Sequence, residues 1–216
     1  MLPADGTHKA SPDAIYSNSF LREILLSLRL VAGPAYPRLL HAAGMDVYST
    51  ALPEPTAELT ATPADIARLF SVGYTHLPPA QAMLFFTNIG EHTARQTWAD
   101  PAVQAIAAII TTTPASEQVA VAWRELIAIV NVQARVGREV YSDTSNDYLA
   151  LTDCPYCQNI HGATQPACFA TARFYEVLLK HLLGRPVIVR EVECRAMGQP
   201  RCTYAVRRPR VRGPFG

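Results

Sequence analysis

Residues 190–202 read Arg-Glu-Val-Glu-Cys-Arg-Ala-Met-Gly-Gln-Pro-Arg-Cys, with a carboxylate, a thiol three residues later and a second thiol after a loop. Gly198 and Pro200 in that loop are typical of a turn, so the stretch predicts the two arms of a hairpin. One carboxylate and three thiols are candidate metal ligands: Glu191, Cys194, Cys202 and, at a predicted helix start upstream, Cys168. Thiolates in this number favour zinc, which takes four tetrahedral ligands in a structural site.

The ligand set depends on the shape of the strand. Side chains alternate along a regular strand, so Glu191 and Cys194 would point to opposite faces. Both reach one ion only if the strand ends or bulges between them, and the nearby turn residues favour such a break. Three alternatives stay open: Glu193 replaces Glu191, the thiols are buried without metal, or an all-cysteine set forms. That all-cysteine set consists of Cys154, Cys157, Cys194 and Cys202.

The ligand spacing resembles a known family. Glu-x-x-Cys, seven residues and Cys, with another Cys 23 residues before the Glu, closely resembles the 4-vinyl reductase domain family. Residues 190–195 are especially similar to the sensor domains of phenol- and xylene-responsive bacterial regulators. The resemblance is strong over residues 138–207 and looser from residue 18 onward. It implies a structural zinc ion held by Cys168, Glu191, Cys194 and Cys202.

The resemblance also implies a fold and a function. The expected fold is a helical layer packed on a mostly antiparallel, twisted sheet, as in subunits of a eukaryotic vesicle-tethering particle, and the domains are commonly homodimers. The expected function is binding or sensing of a small hydrophobic, aromatic or hydrocarbon-like molecule. An alternative is a bacteriochlorophyll-pathway 4-vinyl reductase, or a tetrapyrrole carrier that supports that step. Because no nucleotide-binding motif for a reductant is visible, we favour a binding domain over an enzyme and assign no catalytic residue.

Hydrophobic periodicity predicts an α+β chain that is helical first and mostly strand later. Helices are expected around residues 20–30, 34–44, 63–70, 83–110 with a break at Pro101, 116–135 and 167–183. Strands are expected at residues 47–50, 140–144, 148–152, 187–192 and 203–207. Thr62 followed by Pro63 is typical of a helix start, and Gly184 of a helix end.

Composition limits the classes of function. The chain has 216 residues, 49% of them hydrophobic, which is enough for one domain with a real core. A net charge of +1 provides no field for nucleic acid, and no apolar run is long enough for membrane insertion. Five cysteines, all between residues 154 and 202, favour a reduced cytoplasm and metal chemistry over disulfides. We expect a flexible lead at residues 1–15, a single ligand-binding domain at 16–207 and a basic disordered tail at 208–216.

A second cysteine motif needs separate treatment. Cys154-Pro155-Tyr156-Cys157 reproduces the active-site tetrapeptide of glutaredoxins. Redox chemistry would need a helix that begins at the motif and lowers the pKa of the first thiol, and Gly162 and Pro166 oppose such a helix. We therefore interpret Cys154 and Cys157 as a secondary thiol pair, packed in a turn or making a minor metal contact.

The apolar helical layer is either ordinary core or the wall of a ligand cavity. A cavity would need a few polar groups to orient its ligand. The candidates for that role are His92, Trp123, Tyr141 and Tyr148.

Overall fold

The computed structural model describes residues 13–130 and 137–209. Its helices are α1 (Asn18–Ala32), α2 (Tyr36–Ala43), α3 (Pro63–His76), α4 (Pro79–Trp98), α5 (Pro101–Thr112), α6 (Gln118–Val130) and α7 (Phe169–Leu183). Its strands are β1 (Tyr16–Ser17), β2 (Leu59–Ala61), β3 (Arg138–Ser142), β4 (Asn146–Leu151), β5 (Val189–Glu193) and β6 (Cys202–Arg207). The fold is α+β with antiparallel sheets, as the sequence predicts.

The main sheet has the order β3-β4-β6-β5 and is antiparallel throughout. β3 pairs with β4 and β5 with β6, so both predicted hairpins are confirmed. Leu149 of β4 lies opposite Tyr204 of β6, and Tyr148 lies opposite Ala205. Because side chains alternate, Leu149 and Tyr204 share one face of the sheet with Cys202, whereas Tyr148 and Ala205 occupy the other. The first face carries the core and is called the core face below.

Local sequence sets the helix ends as predicted. The Thr62 hydroxyl accepts a hydrogen bond from the Asp65 N–H, and the Asp65 carboxylate accepts one from the Thr62 N–H, while Pro63 occupies the first position of α3. This reciprocal cap satisfies backbone donors that the helix itself leaves unpaired. Gly44 ends α2 and Gly184 ends α7, with φ of 68° and 63°, the left-handed region that favours glycine.

One predicted strand is wrong. Residues 47–50 fall mostly in a short 3-10 helix, Asp46–Ser49, rather than in a sheet. The Tyr48 N–H donates to the Met45 carbonyl at 3.0 Å, so the turn satisfies its own backbone and needs no partner strand. The small sheet formed by β1 and β2 was not predicted from the sequence. It fastens the start of α1 to the end of the Pro/Thr-rich loop.

The apolar residues form two clusters. One cluster packs α5, α6 and α7 against the core face of the main sheet and includes all five cysteines. The other lies among α1, α2, α3 and α4. Helix α4 packs along α7 and joins the two, and Gly90 permits the close approach because a Cβ there would collide with the Ala170 carbonyl of α7. The candidate metal ligands therefore lie in the sheet-side cluster.

The chain ends are described only in part. The predicted flexible lead at residues 1–15 and basic tail at 208–216 lie mostly outside the described residues, as does the predicted helical stretch 131–135. Arg208, at the start of the predicted tail, has its Nε 3.0 Å from the Ser116 carbonyl oxygen and 3.2 Å from Asp147 Oδ1. None of the described helices combines the length and the apolar character needed to cross a bilayer.

Candidate metal centre

Glu191 and the five buried cysteines lie together where the core face of the sheet meets the start of α7. The structure brings together the four ligands implied by the family resemblance, with their ligand atoms all within 4.8 Å of one another. These four are Cys168, Glu191, Cys194 and Cys202. They come from the start of α7, the end of β5 and the start of β6, so elements distant in sequence meet at one point.

A bulge in β5 places Glu191 and Cys194 on the same side. Up to Glu191 each residue of β5 has one partner on β6, but the next partnered residue is Glu193, so Val192 is an extra residue. Such an insertion shifts the alternation of side chains by one. β5 ends at Glu193, and Cys194 follows in an extended conformation before a 3-10 helix at Arg195–Met197. The break that the sequence required is therefore present.

Glu193, the alternative carboxylate, faces the opposite side of the sheet. Its Oε2 accepts hydrogen bonds from the Thr203 hydroxyl at 2.5 Å and from Arg201 Nε at 3.1 Å. These two hydrogen bonds hold the pKa of Glu193 below its ordinary value. Arg201 also donates to the Tyr141 hydroxyl at 3.1 Å. Glu193 is thus engaged away from the sulfurs, and Glu191 is the carboxylate that faces them.

Cys168 occupies the N-cap position of α7. Its backbone N–H donates to Glu191 Oε2 at 2.8 Å. The partial positive charge at a helix N-terminus favours the ionised form of a thiol, so the helix contributes to a thiolate at this position. Helix α7 therefore both positions the Cys168 sulfur and orients the Glu191 carboxylate.

The surroundings of Glu191 test whether the site fits a cation. Burial, followed by repulsion from Cys194, raises the pKa of Glu191 to about 9. Its Oε1 is buried and has no hydrogen-bond partner in the part of the chain that the structure describes. An unpartnered buried polar group costs about 1–3 kcal/mol. A divalent cation would supply the missing partner and favour the ionised carboxylate, so the donor set fits a metal ion.

Cys154 and Cys157 extend the cluster. A short 3-10 helix, not an α-helix, follows Cys154, so the glutaredoxin-like arrangement is absent at this motif. Cys154 Sγ lies 3.5 Å from Cys168 Sγ, and Cys157 Sγ lies 3.4 Å from Cys202 Sγ. These four sulfurs form a second group within 4.8 Å. The all-cysteine set in the structure therefore contains Cys168 where the sequence suggested Cys194.

The structure does not bring the four pocket candidates together. Trp123 of α6 is fully buried on the core face of the sheet. Tyr141 and Tyr148 stack on each other on the opposite face, with ring centroids 4.9 Å apart. His92 Nε2 of α4 lies 3.4 Å from Glu23 Oε2 of α1. Among these four, Trp123 is the one between the helices and the core face.

Trp123 belongs to an aromatic cluster that the sequence analysis missed. Its ring meets Tyr175 of α7 edge-on, with centroids 6.3 Å apart, and Tyr175 lies 6.2 Å from Tyr204 of β6. All three rings are buried, yet Trp123 Nε1 and the Tyr204 hydroxyl have no hydrogen-bond partner within the described residues. Buried Trp and Tyr usually find one. Alternation from Cys202 was the signal for Tyr204, because residues two apart on a strand share a face.

Comparison with known proteins supports the family resemblance. The family model of the 4-vinyl reductase domain matches residues 147–208, a range that contains both candidate ligand groups. The predicted resemblance to this domain family is therefore confirmed for this part of the chain. No protein of curated function matches the chain.

A solved structure shares the architecture over a longer range. This chain is similar to the crystal structure of the phenol-responsive sensory domain of the transcription activator PoxR with phenol, with a TM-score of 0.50. The two sequences are 16% identical, and the alignment covers 72% of this chain and 79% of that chain. At this identity the likeness shows a shared fold.

Proposed function

We propose that this chain is a zinc-stabilised domain that binds or senses a small aromatic or hydrocarbon-like molecule. The observation that carries the proposal is the pair of buried polar groups, Trp123 Nε1 and the Tyr204 hydroxyl, that lack partners within the described residues. Each costs about 1–3 kcal/mol in the ligand-free fold. A ligand that hydrogen-bonds to them would recover that cost, as expected for the few polar groups of an apolar pocket.

The cluster defines the chemistry of the ligand. The rings of Trp123, Tyr175 and Tyr204 provide apolar contact and edge-to-face packing for another aromatic ring. The Trp123 N–H donates only, whereas the Tyr204 hydroxyl both donates and accepts. A ring that carries one hydroxyl matches these groups. The structural neighbour contains phenol, which supports the same ligand class here.

The proposed zinc ion is structural. Cys168, Glu191, Cys194 and Cys202 would fill a tetrahedral shell and leave no open position for an activated water. The ion would tie the last hairpin to α7. Tyr175 lies on α7 and Tyr204 on β6, so the same ion would hold two walls of the ligand site together.

Two further parts of the proposal concern context. The buried free thiols suit the reduced cytoplasm, where disulfides do not persist. The family resemblance supports a homodimer. Native mass spectrometry reports subunit number directly, and a monomer at working concentration would refute the dimer.

Calorimetry with phenol and toluene tests the ligand. The two probes have the same ring and similar size but differ in the hydroxyl. We expect phenol to bind about 2–10-fold more tightly, since one net hydrogen bond contributes about 0.5–1.5 kcal/mol. Trp123→Phe should reduce this preference, whereas Tyr148→Phe, on the opposite face of the sheet, should preserve it. Absence of binding heat with both probes, in protein of full metal content, would refute the ligand proposal.

A matched pair of carboxylate variants tests the metal. Glu191 and Glu193 are two residues apart and face opposite sides of the sheet. Elemental analysis should show a reduced zinc content in Glu191→Gln and an unchanged one in Glu193→Gln. Cys194→Ser should lower zinc content and thermal stability together. Equal zinc in all of these variants and the wild type would refute the ligand assignment.

A further inference from the structure

The six metal donors form two overlapping groups, and the proposed structural site uses only one of them. The mixed set contains Cys168, Glu191, Cys194 and Cys202. The all-thiol set contains Cys154, Cys157, Cys168 and Cys202. In each set the ligand atoms lie within 4.8 Å of one another. Two sulfurs, those of Cys168 and Cys202, are common to both.

The all-thiol set has the dimensions of a metal site. A Zn–S bond of about 2.3 Å gives a tetrahedron whose edges are about 3.8 Å. The sulfur–sulfur separations are 3.5 Å for Cys154–Cys168, 3.4 Å for Cys157–Cys202 and 3.8 Å for Cys168–Cys202. Two cysteines separated by two residues are also the common spacing of zinc ligands. This second set is thus complete in number, kind and distance.

A single ion leaves donors of the other set unused. With an ion in the mixed set alone, Cys154 and Cys157 remain buried thiols in contact with metal-bound sulfurs. With an ion in the all-thiol set alone, Glu191 Oε1 keeps its buried, unpartnered state and Cys194 has no ion. Both ions together satisfy every donor, provided that the two common sulfurs bridge.

We propose that this chain holds a binuclear zinc cluster with shared thiolates. The bridging ligands are Cys168 and Cys202, and the terminal ligands are Cys154 and Cys157 on one ion and Glu191 and Cys194 on the other. A thiolate has enough lone pairs to bind two ions. The second ion brings two positive charges and removes two thiol protons, so the cluster has the same formal charge as one ion in the mixed set. This inference rests on the proposed zinc site.

Backbone dipoles favour an anionic cluster at this position. Cys168 lies at the positive end of α7. The backbone N–H of Arg195 points at Cys202 Sγ at 3.5 Å, and that of Ala167 points at Cys194 Sγ at 3.5 Å. Hydrogen bonds to ionised acceptors are stronger than those to neutral ones. Both proposed bridging sulfurs therefore have a backbone dipole directed toward them.

Metal counting on the full chain tests the inference. Elemental analysis and native mass spectrometry of zinc-loaded protein should both report two zinc ions per chain. The double variant Cys154→Ser/Cys157→Ser should fold and keep one ion through the mixed set. The matched double variant Glu191→Gln/Cys194→Ser should keep one through the all-thiol set. One ion in the wild type would overturn the second ion but leave the structural site, and none would overturn both.

Cadmium replacement tests whether the thiolates are shared. ¹¹³Cd NMR of the fully exchanged protein should show two resonances, each split by the other, because the coupling passes through bridging sulfurs. A single resonance, or two resonances without mutual splitting, would overturn the bridged cluster. The spectrum reports metal geometry and not ligand binding, so its outcome is separate from that of the aromatic-ligand proposal.

Discussion

Replacing Tyr204 with phenylalanine should stabilise the ligand-free protein. Tyr204 is fully buried, and its hydroxyl has no partner within the described residues. Tyr204→Phe keeps the ring and its packing near Tyr175 but removes a desolvation cost of about 1–3 kcal/mol. For a chain of this length each kcal/mol shifts the Tm by roughly 2–4 °C, so we expect a rise of roughly 2–12 °C.

Thermal unfolding of metal-loaded, ligand-free protein is the assay, and Tyr148→Phe is the control. Tyr148 lies in the same sheet but on the opposite face, where its hydroxyl donates to Asp143 Oδ2 at 2.8 Å and accepts from Asn146 Nδ2 at 3.1 Å. Removing an exposed, hydrogen-bonded hydroxyl should leave the Tm unchanged or slightly lower. A fall in Tm for Tyr204→Phe, or an equal rise in both variants, would refute the reasoning.

The same substitution should affect ligand binding in the opposite direction. If the Tyr204 hydroxyl bonds the ligand, Tyr204→Phe loses about 0.5–1.5 kcal/mol of binding energy, which is about 2–10-fold in Kd for phenol. Higher stability with weaker binding distinguishes a binding group from a structural one. Unchanged phenol affinity would remove Tyr204 from the site and leave the stability prediction intact.

Three other perturbations test the metal, the helix contact and the cap. Removing the metal with a chelator should lower the Tm and expose the five cysteines to a thiol reagent, because binding energy of the ion is folding energy; unchanged thiol reactivity would contradict this. Gly90→Ala should lower the urea midpoint even though alanine favours helices by about 1 kcal/mol, because its Cβ would meet the Ala170 carbonyl; a higher midpoint would show that α4 and α7 separate freely. Thr62→Ala should cost about 1 kcal/mol in urea unfolding by removing the cap of α3, and a cost near zero would mean that water replaces the cap.

Much of the secondary structure was predictable because short-range chemistry decides it. Thr62 with Pro63 starts a helix, Gly44 and Gly184 end helices, and alternating apolar residues form the hairpins. The failure at residues 47–50 has the same cause. Val47 and Tyr48 favour strands, but a strand needs a partner, and the local turn at Asp46–Ser49 satisfies its own backbone instead.

The candidate site was predictable in its donors and less so in its boundaries. The spacing around Glu191 and Cys194 identified a mixed carboxylate and thiol set, and the resemblance implied which residues complete it. The polar groups of the aromatic cluster were harder to find. Trp123 was singled out with residues from the other face of the sheet, and Tyr204 was overlooked, because the spacing of aromatic residues does not say which rings meet.

On its own, the sequence specifies which atoms can bind a metal and where strands and helices begin and end, since these depend on neighbours within a few residues. The tertiary structure decides which of those atoms meet. Cys154, Cys168 and Cys202 become neighbours only when β4, α7 and β6 pack together, and the extra residue in β5 turns Glu191 toward them. Contacts between distant segments depend on packing and strand register, which local spacing does not encode.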